Sequence, residues 1–339
     1  MISRRDFLKI LGIGSAIVAG LSQCSKIEEY FYPTHHYYFP GVFNNGNFSG
    51  VLGLQVDGSV LGYEKFIVSH KVYQSPLRWT DAEEVRGKYI FPAWLDHNVE
   101  VFKSVDADLI LGIKTCPEWA RLWKDKQGSP PLPEFYGACA EFIRAGIERY
   151  KPKAIAFCNE PDVDKDLVSD AIQYWFGAWV INGDYYGAGR RYGEAFNYIY
   201  SKLKPLYPNT LFIAGELIGE RTSLEFLSGM LSVNLKADYI SYHKYIHNKT
   251  QFNALFDFAN EIKKLTSIPL IITETNIVSD IGGDIHEQLK ADYVKHIYDR
   301  IGWEEIELVE FYSLDNSWRN TPFCPNKVPT PAYDVWKDL

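Results

Sequence analysis

The chain has 339 residues, of which 46% are hydrophobic and 23% are charged, and its formal net charge is −8 at pH 7. This composition is typical of a globular protein with a substantial core and excludes a wholly disordered chain. The negative charge and the lack of a basic tract argue against a nucleic-acid-binding function.

The first 24 residues differ in pattern from the rest of the chain. Arg4 and Arg5 precede an apolar run from Ile10 to Leu21, and this arrangement resembles a twin-arginine export signal. The run is shorter than the roughly 20 residues that a membrane-spanning helix needs, so residues 1–24 are interpreted as a targeting segment. We therefore expect export to the periplasm or the cell surface.

Cys24 follows Leu21-Ser22-Gln23, where a bacterial lipoprotein signal has its lipidated cysteine. Gln23 departs from such signals, which usually have a small residue at this position. The sequence predicts a lipid anchor at Cys24 as the protein's one attachment to a membrane. The alternative is ordinary cleavage nearby, which removes Cys24 or leaves it as an unpaired thiol.

A linker and then a repeating pattern follow the targeting segment. Residues 25–47 are rich in Tyr, His, Asn and Pro without periodicity, and we interpret them as a linker. Beyond them, short apolar runs alternate with amphipathic stretches, as parallel strands and covering helices do. The strand candidates are Gly50–Val56, Ile67–Tyr73, Leu109–Lys114, Ala154–Cys158, Leu211–Ala214, Tyr239–Tyr242, Leu270–Thr273 and Leu308–Tyr312. Helical patterns between them include Phe135–Arg149, Gly193–Leu206, Gln251–Leu265 and Glu287–Ile301. The pattern predicts an α/β fold, a single (β/α)8 TIM-barrel domain over residues 48–339.

Two carboxylates stand where the chemistry of such a barrel is expected. Glu160 follows the fourth apolar run and Glu274 ends the seventh, so both should face the barrel mouth at the C-terminal strand ends. Glycoside cleavage needs one carboxyl group to protonate the leaving oxygen and another to attack or to activate water. The placement therefore predicts that Glu160 and Glu274 are catalytic. The alternative is that both are surface-loop acids near strand ends.

The segments around the two acids resemble the clan A glycoside hydrolases over residues 48–335. The resemblance is carried by Asn159-Glu160-Pro161 after the fourth strand, Glu274 ending the seventh, Pro117-Glu118-Trp119-Ala120, Ser241-Tyr242-His243-Lys244-Tyr245 and Tyr312-Ser313-Leu314-Asp315-Asn316. It implies a retaining O-glycosyl hydrolase, acting on a β-linked oligosaccharide or polysaccharide. Glu160 would be the general acid/base and Glu274 the nucleophile.

The same resemblance implies further site residues. Asn159 matches the residue that hydrogen-bonds the sugar 2-hydroxyl, Tyr245 would orient the nucleophile, and His243 would contact the sugar. Trp318 follows the eighth strand, where the clan often has a platform tryptophan. Members of the clan often carry an arginine on strand two beside the nucleophile. Counting back from Trp79 reaches Gln74 instead, and Arg78 is the nearest arginine.

Aromatic side chains make up 15% of the chain, and sugars stack their apolar faces on such rings. Trp79 and Trp119 are candidate sugar contacts, and Glu216 is a candidate polar contact. The segment Trp175–Arg191 is interpreted as a loop that shapes specificity. Packing in the core is the alternative interpretation for each aromatic residue.

No cofactor or metal is expected. Cys116, Cys139, Cys158 and Cys324 have no close pair of metal-binding or redox spacing, so zinc-finger chemistry is not expected. The expected partner is a carbohydrate substrate, and the chain is expected to be a monomer. Two other functions stay open: a divalent-metal-dependent barrel isomerase or hydrolase, and a lipoprotein that binds glycans without cleaving them. The candidate ligands of that metal site are Glu160, Glu216, His243 and Glu274.

Overall fold

The computed structural model describes residues 48, 52–167, 177–278, 284–301, 304–314 and 323–339. The barrel belongs to the unit Gly46–Leu339. The predicted targeting segment 1–24 with Cys24, the linker 25–47, and Asp315 and Trp318 lie outside the described residues, so these interpretations stay predictions.

Eight parallel strands form a closed barrel in chain order, with β1 hydrogen-bonded to both β2 and β8. The strands are β1 Leu52–Gln55, β2 Val72–Arg78, β3 Asp108–Lys114, β4 Ala154–Phe157, β5 Leu211–Leu217, β6 Tyr239–Ile246, β7 Leu270–Ile277 and β8 Ile306–Phe311. The helices of the described part are α1 Trp79–Ala82, α2 Ala93–Ser104, α3 Tyr136–Tyr150, α4 Tyr185–Leu203, α5 Arg221–Leu231, α6 Ala254–Lys263, α7 Asp284–Ile301 and α8 Pro331–Asp338. The predicted (β/α)8 barrel is confirmed.

Two predicted boundaries are wrong in an informative way. Strand two was expected over Ile67–Tyr73 but runs over Val72–Arg78. Its polar residues Gln74, inside the barrel, and Ser75, beneath the outer helices, are both buried and hide the strand's apolar pattern. The expected loop Trp175–Arg191 ends earlier than predicted, since α4 begins at Tyr185. The side chain of Asp184 caps that helix by accepting a hydrogen bond from the backbone N–H of Gly187.

Inward-facing residues of the strands form two layers. The layer at the N-terminal strand ends, here named the lower interior, is a separate apolar cluster of Phe48, Val72, Ile110, Ala154, Ala156, Ile213, Tyr239, Ile271 and Leu308. Side chains of a strand alternate between its two faces, so the next inward positions are two residues further along. They form the upper interior, which is mostly polar and comprises Gln55, Gln74, Ser241, His243, Thr273 and Glu310, all buried.

The four cysteines of the described part are buried free thiols. Within those same residues, none of the helices combines the length and the apolar character required to cross a membrane.

Candidate active site

The two predicted catalytic acids meet at the C-terminal end of the barrel. Glu160 lies three residues past the end of β4, and Glu274 lies within β7. Their side chains are 2% and 6% exposed. One oxygen of Glu160, one oxygen of Glu274 and one ring nitrogen of His243 all lie within 4.8 Å of one another. The structure therefore brings the two carboxylates into one buried cluster.

His243 lies between the two acids. It projects from β6, and its Nδ1 atom is 3.0 Å from Glu160 Oε1 and 3.6 Å from Glu274 Oε2. Burial lowers the pKa of this imidazole, but the charge of Glu274 and the hydrogen bond to Glu160 outweigh burial and raise it above its ordinary value. The raised pKa favours the protonated imidazole, whose positive charge offsets part of the negative charge that the two acids bring together.

Tyr245 contacts Glu274 directly, as the resemblance implied. Its hydroxyl donates a hydrogen bond to Glu274 Oε1. The Tyr245 ring meets the ring of Tyr312 edge to face, with 6.3 Å between centroids. Tyr312 follows the last residue of β8, so its ring packs against the tyrosine that binds the nucleophile candidate.

The turn that carries Glu160 is fixed by its backbone. The N–H of Glu160 donates to the carbonyl of Glu216 at 3.0 Å, and the N–H of Gly177 donates to the carbonyl of Asn159 at 2.6 Å. A side chain at Gly177 would not fit, because its Cβ would lie 2.3 Å from Cys158 Sγ. Glu160 itself has a left-handed φ of 49°, a conformation that persists only where the surroundings enforce it.

Asp162 ties this turn to the segment after β5. Its carboxylate accepts hydrogen bonds from the Ser223 hydroxyl at 2.5 Å and from the Ile218 N–H at 3.1 Å. Burial raises the pKa of Asp162 to about 7, with the charge of nearby Glu160 adding to the effect. The turn bearing the acid/base candidate therefore rests on a second acid that titrates near neutral pH.

The two predicted tryptophan contacts pack against the core outside the barrel wall. Trp79 is 1% exposed and stacks on Phe142 in the core outside the barrel wall, so a sugar could reach its ring only if that packing opened. Trp119 is half-buried and packs edge to face on Trp79. Arg78 forms an ion pair with Asp81 at 3.7 Å.

Glu216 lies inside the barrel and not at its surface. It is fully buried, and Gln74 Nε2 donates a hydrogen bond to its Oε1 at 2.8 Å. Gln74 occupies the strand-two position at which the clan's arginine was sought, and here it binds Glu216. Asn159, which directly precedes Glu160 in the chain, is 6% exposed.

The structure adds residues that the sequence did not single out. Glu310 on β8, Asp162 and the buried Lys114 at the end of β3 all lie at this end of the barrel. A signal for Glu310 existed, since an acid interrupts the apolar run Leu308–Tyr312. A charged residue within a buried strand is costly and marks a functional position.

Comparison with known proteins confirms the fold. No protein-family model matches the sequence, and no curated protein matches it. Solved structures do match. A family 39 glycoside hydrolase from the gut symbiont Bacteroides cellulosilyticus WH2 superimposes with a TM-score of 0.63 at 15% identity, covering 84% of this chain and 63% of that one.

Two further structures agree. A family 39 β-xylosidase from Caulobacter crescentus gives a TM-score of 0.61 at 12% identity, with 87% and 71% of the two chains covered. A psychrophilic family 10 endo-β-1,4-xylanase gives 0.58 at 16% identity, with 86% and 96% covered. The chain thus shares the barrel of clan A glycoside hydrolases, and it spans less than two thirds of the length of the family 39 enzyme from the gut symbiont.

Proposed function

We propose that the protein is a retaining glycoside hydrolase that cleaves β-linked O-glycosidic bonds of an oligosaccharide or polysaccharide. The observation that carries the proposal is the closeness of the two carboxyl groups, which have oxygens within 4.8 Å of each other. Retaining enzymes hold their two carboxyl groups about 5–5.5 Å apart, whereas inverting enzymes need roughly 6.5–9.5 Å to admit a water molecule. The spacing therefore supports direct attack by one carboxylate.

In this proposal Glu274 attacks the anomeric carbon while Glu160 protonates the departing oxygen. A covalent glycosyl-enzyme forms, and Glu160 then takes a proton from the water that hydrolyses it. The hydrogen bond from Tyr245 to Glu274 Oε1 orients the nucleophile and leaves Oε2 on the side of His243. Protonation of His243, which its raised pKa favours, would keep Glu274 ionised before attack.

Two measurements test the function. A panel of aryl β-glycosides and soluble polysaccharides should identify a substrate, and NMR of the first product should show retained anomeric configuration. An inverted product from the wild-type enzyme would contradict the mechanism. The Glu274→Gly variant should be inactive but rescued by azide, which enters the space left by the carboxylate and yields a glycosyl azide of inverted configuration.

One observation bears on the metal-dependent alternative. Glu160, His243 and Glu274 have donor atoms close enough to surround an ion. However, the His243 nitrogen nearest both acids engages them as an ion pair, and the raised pKa of the imidazole disfavours the neutral form that binds metals. Activity that survives dialysis against a chelator supports the glycosidase mechanism, whereas activity that is lost and restored by a divalent ion supports the alternative.

A protein that binds glycans without cleaving them would leave every glycoside of the panel intact. Two acids and a histidine buried together are costly to maintain in a site that only binds, and this favours catalysis. Binding of a glycan without turnover by the wild-type protein would reverse that conclusion.

We also propose that the enzyme is exported, and that it is anchored to a membrane through a lipid on Cys24. The motifs at Arg4-Arg5 and Leu21-Ser22-Gln23-Cys24 support this proposal. Cell fractionation of the full-length protein and of its Cys24→Ala variant should show a membrane-bound wild type and a soluble variant. A soluble wild type would refute the anchor and leave the glycosidase proposal intact.

A further inference from the structure

A group of buried polar residues lies next to the turn that carries Glu160. Asp162, two residues after Glu160, is 1% exposed, and Ser223 on α5 is fully buried. The Ser223 hydroxyl donates a hydrogen bond to Asp162 Oδ2 at 2.5 Å, and the backbone N–H of Ile218 donates to Asp162 Oδ1 at 3.1 Å. These two bonds join the turn after β4 to the chain between β5 and α5.

The first turn of α5 holds Ser223 in place. Its Oγ atom accepts the backbone N–H of Glu220 at 3.1 Å, and the Glu220 side chain accepts the backbone N–H of Ser223 in return. This reciprocal pair is a capping box. A serine hydroxyl has a single hydrogen to donate, and here Asp162 accepts it.

The segment 218–220, between β5 and α5, is also fixed to β6. Lys244 Nζ donates to the carbonyl of Gly219 at 2.7 Å and forms an ion pair with Glu220 at 3.3 Å. A Cβ at Gly219 would lie 2.0 Å from the carbonyl oxygen of His243, and Gly219 has a left-handed φ of 73°, so only glycine allows this approach. Since β6 also carries Tyr245, the segment contacts the strand that binds both catalytic candidates.

Asp162 acts on Glu160 through the backbone of the turn. The N–H of Val163 donates to the carbonyl of Glu160 at 3.3 Å, and the N–H of Glu160 donates to the carbonyl of Glu216 at 3.0 Å. The left-handed φ of Glu160 costs free energy and persists only where the surroundings enforce it. The anchoring of Asp162, two residues away, is one such constraint, and its loss should let the turn relax and displace the Glu160 carboxyl group.

We propose that Asp162 and Ser223 are positioning residues that hold Glu160 in place to protonate the leaving oxygen. Both act by fixing the turn against α5 and not on the substrate. A displacement of a catalytic group by about 1 Å can lower the rate roughly 100-fold, so the expected effect is large. The inference rests on the proposed function, because that function assigns the acid role to Glu160.

The leaving-group dependence of kcat/KM tests the positioning role. For Asp162→Ala we expect a loss of about 10–100-fold on glycosides with poor leaving groups, which need protonation, and of less than about threefold on aryl glycosides with good leaving groups. A role in stability alone would lower the amount of folded enzyme and reduce both activities by the same factor. Equal losses on the two substrate types therefore overturn the proposal.

Two further variants sharpen the test. Asp162→Asn keeps both contacts, since Oδ1 can accept the Ile218 N–H and Nδ2 can donate to Ser223 Oγ, so its kcat/KM should stay within about threefold of the wild type. Ser223→Ala removes one of the two donors and should show the leaving-group pattern with a loss of about three- to tenfold. It carries the test if Asp162→Ala does not fold, and equal losses on the two substrate types again overturn the proposal.

A double variant and two controls test whether the residues act together. Asp162→Ala combined with Ser223→Ala should lose no more activity than Asp162→Ala alone, and additive losses overturn the coupling. The control for the acid is Asp166→Ala, an exposed residue of the same segment. The control for the serine is Ser228→Ala, whose hydroxyl donates within α5 to the carbonyl of Leu224. A leaving-group shift in either control overturns the assignment.

Hydrogen exchange tests the constraint on the turn without any substrate. In Asp162→Ala the backbone amides of Glu160 and Val163 should exchange about tenfold faster than in the wild type, whereas Asp166→Ala should leave their rates unchanged. Unchanged rates in Asp162→Ala overturn the proposal, and this result holds even if the wild type cleaves no glycoside. Equal losses on both substrate types in Glu160→Gln refute the acid role and with it the proposed mechanism. The expected contrast in Glu160→Gln with equal losses in Asp162→Ala refutes the positioning role alone.

Discussion

The lower and upper interior of the barrel are built by the same strands but serve different purposes. Val72, Ile271 and Leu308 belong to the apolar lower interior, and two residues further along their strands stand Gln74, Thr273 and Glu310. One repeat of the strand pleat, about 7 Å, thus separates a core that stabilises the fold from a layer that costs stability to bury. In barrels of this kind the lower end is associated with stability and the upper end with function.

The largest effect is expected from removing the candidate acid Glu160 at the C-terminal end of the barrel. Glu160→Gln should lower kcat about 10²–10⁴-fold on glycosides with poor leaving groups, because these need protonation. The loss in the glycosylation step should be much smaller on aryl glycosides with good leaving groups. Steady-state kinetics on both substrate types measure the contrast.

The matched control is Glu100→Gln, which changes an exposed acid on α2 and should leave both activities unchanged. Equal losses on the two substrate types would contradict the acid role of Glu160. Glu160→Gln removes a buried ionisable group, so it should not lower the free energy of unfolding. A lower value than in the wild type would contradict the conclusion that the polar end of the barrel costs stability.

A truncation in the lower interior should lower the stability of the protein and leave its activity almost unchanged. Ile271→Ala removes a fully buried side chain, so the free energy of unfolding should fall by about 2–5 kcal/mol, with little change in kcat per folded molecule. Urea denaturation followed by fluorescence provides the measurement. The comparison variant is Leu206→Ala, since that side chain is 62% exposed, and it should change stability by less than about 0.5 kcal/mol. Similar losses in both variants would contradict the role of the lower interior.

A substitution at Gly53 tests how closely strand β1 packs against the side chains of the upper interior. Gly53→Ala places a Cβ against Glu310 Cγ and a backbone carbonyl, and we expect a loss of about 1–3 kcal/mol of stability from overpacking. Gly58→Ala, with no atom within 4 Å of the added Cβ, is the control and should be nearly neutral. Equal thermal midpoints of the two variants would show that the neighbouring residues move to accommodate the Cβ added at Gly53.

The smallest effect concerns pH. Because burial raises the pKa of Asp162 to about 7, the folded state binds the proton more tightly than the unfolded state. Stability of the wild type is therefore lost as pH rises from about 4, the unfolded value, to about 7. Asp162→Asn cannot ionise, so its thermal midpoint should exceed that of the wild type by at least roughly 2 °C above pH 7. The midpoints should converge near pH 4, and a constant difference across this range would contradict the shifted pKa.

The sequence predicted the elements with a regular pattern. The predicted strands Leu109–Lys114 and Leu270–Thr273 are uninterrupted apolar runs in the sequence. Both occur in the barrel as slightly longer strands, Asp108–Lys114 and Leu270–Ile277. Strand two failed because Gln74 and Ser75 are buried polar residues, and a pattern of hydrophobicity cannot distinguish a buried glutamine from a surface one. Counting back from Trp79 in search of a strand-two arginine reached Gln74, which binds Glu216.

For the site, the sequence by itself determined that two acids end the fourth and seventh apolar runs of an eight-strand barrel, and closure of the barrel brings such ends together. Only the tertiary structure decided that His243 lies between them, that Trp79 faces the outer core, and that Glu216 and Glu310 lie beneath them. These contacts join residues far apart in the chain, and they depend on which way each side chain points and on the space left by Gly53. That information is held by the packed barrel and not by any single segment of sequence.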